Sequence, residues 1–235
     1  MEGNPEISII IPYGYYTPDI ESTLNSTGIN NDLIEIIIVT NGALKKELAK
    51  KYNEQYRIIE SEEVGRGYFC RRGAQNANGL ILLFLHADTT LPKYWFHKVS
   101  DAMSDSKVSG GGFTTSFRTD QWFIRKVPKL YNMFSILIGE YWGDRALFMR
   151  KENLISNLDQ INIPIMEDVE MSKIIRKNGK FVLLSDVVST SALHFTIKGY
   201  FVHIVGAVYY RILYAFGISP NRIFKWYYSQ FPGNS

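Results

Sequence analysis

The stretch Leu80-Ile81-Leu82-Leu83-Phe84-Leu85, closed by His86-Ala87-Asp88-Thr89, decides the fold. A short continuous apolar run reads as a strand covered on both faces, the kind that fills a parallel sheet. This one delivers an imidazole and a carboxylate to its C-terminal end, and in open α/β sheets ligands bind beyond the carboxyl ends of the strands. A second acidic knot, Met166-Glu167-Asp168, follows about eighty residues later. Carboxylates so placed are candidates for holding a metal or taking a proton, which points to an enzyme.

Working outward, Ile7 to Ile11, stopped by Pro12, and Ile34 to Val39, stopped by Asn41-Gly42, read as two more buried parallel strands. Thr17 to Asn31 between them has Pro18 at a helix start, Ile20 and Leu24 at helical spacing and a Gly28 stop, which completes a βαβ unit. A lysine-rich helix over Ala43 to Tyr52 is expected next, then a short strand over Tyr56 to Ile59 and a glycine-punctuated turn into a helix over Gly65 to Gly79. Beyond Pro92 the expected order is a helix to Met103, a strand opened by Gly110-Gly111-Gly112 and an amphipathic aromatic segment over Asp120 to Glu140. A strand over Arg145 to Met149, a helix over Glu167 to Lys177 and a strand over Phe181 to Leu184 complete it. The alternation argues for an α/β sheet.

The chain of 235 residues is 46% hydrophobic and 21% charged, enough to bury a sizeable core. Its single cysteine, Cys70, excludes an intramolecular disulfide and reads as buried structure. The N-terminus runs straight into a strand with no secretory pattern, so a cytoplasmic location is expected. The net charge is only +3, yet Arg176 to Ser235 has seven Lys or Arg against one acid, Asp186, leaving −3 for the rest. A basic, aromatic C-terminal region suits an anionic membrane surface or a phosphate-bearing ligand better than nucleic acid; a solvated basic face is the plain alternative. Tyr200 to Ile218 is apolar but interrupted by His203 and Arg211, which favours an interfacial or partner-packing helix over a membrane span.

Asp88 has a fixed position from which a divalent cation could bridge it to a diphosphate, and the alternative is that it caps the next turn or helix. Glu167 and Asp168 open a helix, where carboxylates also serve as caps; two adjacent acids allow one to act as base and the other to orient it. His194 is a candidate second metal ligand or a structural histidine. Gly65-Arg66-Gly67 and Arg71-Arg72-Gly73 can wrap phosphate or simply make a turn.

Together these segments resemble family 2 glycosyltransferases of the GT-A fold, in particular a small bacterial subgroup. The resemblance rests on GRGYFCRRGA from Gly65, LLFLHADTTLP from Leu82 and YWGDRALF from Tyr141. It continues in PIMEDVEMSKIIRKNG from Pro164 and LYAFGISPNR from Leu213. It implies a Rossmann-like, mostly parallel sheet flanked by helices over residues 1–195. A C-terminal helical, aromatic and basic extension over 196–235 would pack on the domain, a partner or a membrane. By the same resemblance Asp88 is the last acid of a metal-binding motif, with His86 where many relatives have Asp, and the metal is Mn²⁺ or Mg²⁺. Asp168 matches the base that deprotonates an acceptor hydroxyl in inverting transfer from a nucleoside-diphosphate sugar, and Glu167 orients it. Pro12, Tyr13, Asn41, Gly65, Arg66, Arg71, His86 and Asp88 fall on the donor side, and Gly143, Asp144 and Arg145 on the acceptor side.

The departures are specific. The family's PVxNE reads Pro12-Tyr13-Gly14-Tyr15-Tyr16 and its VDGGS reads Val39-Thr40-Asn41-Gly42-Ala43, so the acids that contact base and ribose are missing. Arg71 replaces an Asn and Arg145 a Gln, which is expected to add positive charge near the acceptor. The readings are therefore a metal-dependent inverting transferase acting on a hydroxyl acceptor, lipid-linked or anionic, and peripheral at the inner face of the membrane. The others are a degenerate, inactive binding module and, more remotely, a sugar nucleotidyltransferase. Homodimerisation through Phe201 to Phe216 would cover the apolar C-terminal surface.

Overall fold

The computed structural model describes residues 4–14, 20–28, 31–52, 55–119, 139–191 and 200–229. Strands β1 (Ile7–Pro12), β2 (Ile34–Thr40), β3 (Arg57–Glu60), β4 (Ile81–Phe84), β5 (Thr89–Thr90), β6 (Val108–Arg118), β7 (Phe148–Arg150) and β8 (Lys180–Ser191) form one sheet. Their order is β3-β2-β1-β4-β7-β6-β8-β5. Helices α1 (Glu21–Ser26), α2 (Gly42–Tyr52), α3 (Arg66–Asn76) and α4 (Trp95–Ser104) belong to the first half. Helices α5 (Lys151–Ile155), α6 (Glu167–Asn178), α7 (Tyr200–Ala215) and α8 (Pro220–Tyr228) follow. The β3-β2-β1-β4 block and the β6–β8 pair are parallel, and β7 enters antiparallel between β4 and β6.

The continuous apolar runs work because strand side chains alternate faces. Ile7, Ile9, Ile11, Ile36, Ile38, Leu83 and Leu85 enter one core. Their neighbours Ile10, Ile37, Val39, Leu82 and Phe84 enter a second core with Cys70, Met171 and Ile174. A strand covered on both faces needs no polar alternation, and that pattern marked β1, β2 and β4 in the sequence.

Two expectations change. The strand expected over Arg145 to Met149 is Phe148–Arg150, because Gly143–Arg145 forms a 3-10 turn and Ala146 sits at φ +47°, outside the extended region. The strand expected over Phe181 to Leu184 runs on to Ser191, since β6 supplies a parallel partner throughout, with a bulge at Phe113/Thr114. The expected aromatic segment before Glu140 and the Thr17-Pro18 helix start lie outside the described residues.

Candidate active site

Because β1, β2 and β4 are parallel, their C-terminal ends share one edge of the sheet, with Pro12-Tyr13, Asn41 and His86 to Asp88 along it. The Thr23 hydroxyl donates to the Ala87 carbonyl at 2.9 Å and ties this loop to α1. Tyr13 donates its amide to Val39. The Asn41 side-chain oxygen accepts the Leu44 amide at 3.1 Å, so it caps α2 and leaves its NH₂ group as the donor for a ligand.

Asp88 is buried, and its Oδ1 accepts the hydroxyls of Thr89 and Thr190, each at 3.3 Å. Its carbonyl accepts the Arg118 guanidinium and the Ser191 amide. It does not cap α4, which starts after Tyr94. No ion pair to its side chain occurs among the described residues.

The acidic knot is also buried, Glu167 and Asp168 being 2% and 5% exposed. Both residues lie in the first turn of α6, and neither acts as its cap. Asp168 Oδ2 accepts the Gly143 amide at 2.9 Å and the Arg211 guanidinium at 2.9 Å, with Arg66 Nη2 at 3.7 Å. Its Oδ1 accepts the adjacent Val169 amide at 2.9 Å. Glu167 accepts a hydrogen bond from Arg66 Nε, while its other oxygen, Oε2, is buried without a partner. Met166, just before the pair, holds φ +75°, a conformation costing a non-glycine residue roughly 1–3 kcal/mol and characteristic of functional sites.

Gly143 joins the two acidic regions. A Cβ there would lie 2.8 Å from His86 Nε2 and 3.7 Å from Asp168 Cβ, so the glycine is required by close approach. Ser172 secures the same turn, accepting the Tyr141 amide at 3.1 Å and donating to the Asp168 carbonyl at 2.8 Å.

Of the other predicted site residues, Arg145 departs from its expected place. Arg145 is 0% exposed and donates to the Phe113 carbonyl, with its guanidinium 5.9 Å from the Tyr141 ring centre. It therefore does not add surface charge for an acceptor; the turn at Ala146 sends it inward. Asp144 is half-buried. Arg71, half-buried on α3, has its Nε buried without a hydrogen-bond partner. The glycines at 65 and 67 answer to packing: a Cβ on Gly67 would meet the Ile163 carbonyl at 2.1 Å, and one on Gly65 would meet Pro164 Cα at 2.6 Å. That close packing requires glycine at both positions. His194 lies outside the described residues, and no group of three or more potential ligands occurs among the described ones.

The C-terminal helices contribute what sequence reasoning missed. Arg211 of α7 bridges Asp168 and Glu140, at 2.9 and 3.1 Å, with its guanidinium 4.7 Å from the Trp142 ring centre. Tyr214 donates to Glu170 at 2.7 Å. Tyr227 of α8 is within electrostatic reach of Arg66 and Asp88. Ile165, Met166 and Val169 pack with Tyr210 and Ile223, seating both helices against the start of α6. A cleft of about 290 Å³ beside the bridge is lined by Glu140, Val169, Lys173, Arg211 and Tyr214. The signal was in the sequence: a lone arginine in an apolar helix must find a partner if it is buried.

Comparison with known proteins decides the family, since the profile of Glycosyl transferase family 2 matches residues 8–164. The chain belongs to glycosyl transferase family 2. The glycosyltransferase AglE of Haloferax volcanii is 27% identical over 122 residues, which is 48% of this chain and 40% of AglE. The crystal structure of S. aureus TarS matches with a TM-score of 0.59 at 18% identity, covering 79% of this chain and 36% of that one. TarS 1-349 in complex with UDP-GlcNAc gives 0.59 and 18%, covering 79% and 58%. The chain thus spans less than two thirds of the length of these relatives. At such identities the structural likeness shows the fold, a curled α/β sheet flanked by helices as in GT-A glycosyltransferases. The family 2 match takes in the donor-side edge and Gly143 to Arg145, and ends three residues before Glu167.

In this family 2 chain the acidic pair is electrostatically divided. Burial pushes the Asp168 carboxyl up, but Arg211, Arg66, the Gly143 amide and His86 together outweigh it and hold Asp168 below the usual carboxylate range. Burial raises Glu167 above its ordinary value, and Asp168 raises it further against the opposing pull of Arg66. The two carboxyls are thus pushed in opposite directions, Glu167 toward its protonated form and Asp168 toward its ionised form. Arg211 is the strongest favourable influence on Asp168, so Arg211→Met should move the acid limb of the pH–rate profile upward. An unmoved limb in the variant would separate Arg211 from the ionisation of Asp168.

Proposed function

We propose that this chain is an inverting glycosyltransferase that moves a sugar from a nucleoside diphosphate to an acceptor hydroxyl, with Asp168 as general base. The observation behind this reading is the placement of Asp168: buried and hydrogen-bonded to the Gly143 amide, whose Cα lies close beside His86 at the C-terminal edge of the sheet. The acceptor oxygen forms a bond to the anomeric carbon as the bond from that carbon to the diphosphate oxygen breaks on the opposite face. The hydroxyl proton passes to Asp168, whose Oδ1 has only the Val169 amide bonded to it among the described residues. Glu167 acts through Arg66, which also contacts Asp168, and so orients the base.

Asp88 suits a divalent cation of the Mg²⁺ or Mn²⁺ kind, since among the described residues its buried carboxylate is bonded only by hydroxyls at long range and such ions need one or two protein carboxylates plus substrate phosphates. The bound ion would neutralise charge developing on the departing diphosphate. The complex of TarS 1-349 with UDP-GlcNAc supports a uridine donor. Tyr13 and the Asn41 amide are the groups on this edge able to stack on a base or hydrogen-bond it.

Calorimetric titration with UDP, GDP, dTDP, CDP and ADP, each with and without Mn²⁺, tests this. One nucleotide should bind in a metal-dependent manner, and Asp88→Ala should lose that binding. A folded protein that binds none of the five would instead support the inactive binding module, the reading favoured by the missing acids at Tyr13-Gly14 and Asn41.

A further inference from the structure

The outer faces of the C-terminal helices have no role in the site. On α7 the exposed large side chains are Val205, Tyr209 and Ile212, followed by Phe216 one residue past its end. The Phe216 amide still donates to the Ile212 carbonyl at 3.0 Å, so the helical turn continues through it. Spacings of four, three and four residues place the four side chains in one stripe. They are 50%, 54%, 49% and 84% exposed, so the stripe is not core. The same helix buries Tyr210 and sends Arg211 to Asp168, so it is already anchored on its other side.

Helix α8 repeats the pattern with different chemistry. Ile223 is fully buried, whereas Arg222, Lys225 and Trp226, three and four residues apart, are exposed. No Asp or Glu follows Asp186, while Lys198, Arg211, Arg222 and Lys225 do.

We propose that the exposed faces of α7 and α8 dock on the surface of an anionic lipid bilayer. An apolar stripe enters the boundary of the acyl region, a tryptophan sits at headgroup level, and Arg and Lys meet lipid phosphates. The helices lie on the surface: no described helix is long and apolar enough to cross a membrane. A second copy of the chain fits less well, because a two-fold contact would set Arg222 and Lys225 near their own duplicates with no nearby carboxylate in the C-terminal segment to offset them. If the transfer reading holds, docking puts Asp168 about one helix diameter, ~10 Å, from the bilayer, within reach of a hydroxyl on a lipid-linked acceptor. The docking itself does not depend on that reading.

Flotation of the full chain with vesicles of phosphatidylcholine, alone or mixed with phosphatidylglycerol, tests the proposal. The wild type should partition onto the phosphatidylglycerol vesicles, and less so at high salt. The variants Ile212→Ser/Phe216→Ser and Arg222→Glu/Lys225→Glu, melting as wild type does, should each lose about tenfold or more in partition. Absence of partition by folded wild type would overturn docking, as would partition that neither variant changes. A dimer in sedimentation velocity, abolished by Ile212→Ser/Phe216→Ser and accompanied by no vesicle binding, would assign the stripe to self-association instead. Nucleotide titration reads the transfer function separately, so either conclusion can fail alone.

Discussion

Asp168→Asn should lower kcat for sugar transfer by about 10²–10⁴-fold, the usual contribution of a positioned general base, with nucleotide affinity nearly unchanged. The amide preserves the shape of the side chain, and its oxygen can still accept the Gly143 amide, but it has no charge and takes no proton. The split between kcat and binding is the informative part. Loss of an interaction made only in the transition state lowers kcat, whereas a collapsed site would weaken nucleotide binding as well. A thermal melt accompanies the measurement, because the amide NH₂ would face the Val169 amide where Oδ1 now accepts.

The second large effect is on stability. Arg66→Met removes the cation that pairs with buried Glu167, and breaking a buried pair costs about 3–5 kcal/mol. Arg66 keeps 30% of its side chain exposed, which places the expected loss near the lower end, about 3 kcal/mol. The pH dependence has a definite sign. Without Arg66 the Glu167 carboxyl rises further, and a raised carboxyl stabilises the folded state fully below its unfolded value and loses that contribution as pH rises through its folded value. The deficit in urea denaturation should therefore shrink as pH falls from neutrality toward about 4–5. Adding Glu167→Gln to the variant should recover most of the loss at neutral pH. A deficit that is independent of pH, and that Glu167→Gln leaves in place, would show that Arg66 acts through packing.

The parts of this molecule governed by local pattern were legible in the sequence. The apolar runs of β1, β2 and β4 named themselves, because strands covered on both faces tolerate no polar alternation, and the parallel pairing put Pro12, Asn41 and His86 on one edge. The acidic pair stood out as two adjacent carboxylates where a cap needs one. What escaped depends on contacts between distant segments. The inward turn of Arg145 is set by the left-handed backbone at Ala146, a position no glycine marks. The close approach of Gly65 and Gly67 to the backbone at Ile163 and Pro164 joins segments nearly a hundred residues apart. That the Asn41 oxygen also caps α2 through the Leu44 amide depends on how that turn folds. Arg211 is more than forty residues from Asp168, and nothing local reveals that α7 folds back over the start of α6.

The central claim, inverting transfer with Asp168 as base, is tested most directly by following donor hydrolysis with the nucleotide sugar that binds. Water then stands in for the acceptor, and proton NMR reads the anomer of the released sugar before it mutarotates. The account predicts that an α-linked donor first gives the β sugar and that Asp168→Asn, still binding the nucleotide, gives none. Release of the α sugar first, or hydrolysis by Asp168→Asn at the wild-type rate, would contradict it.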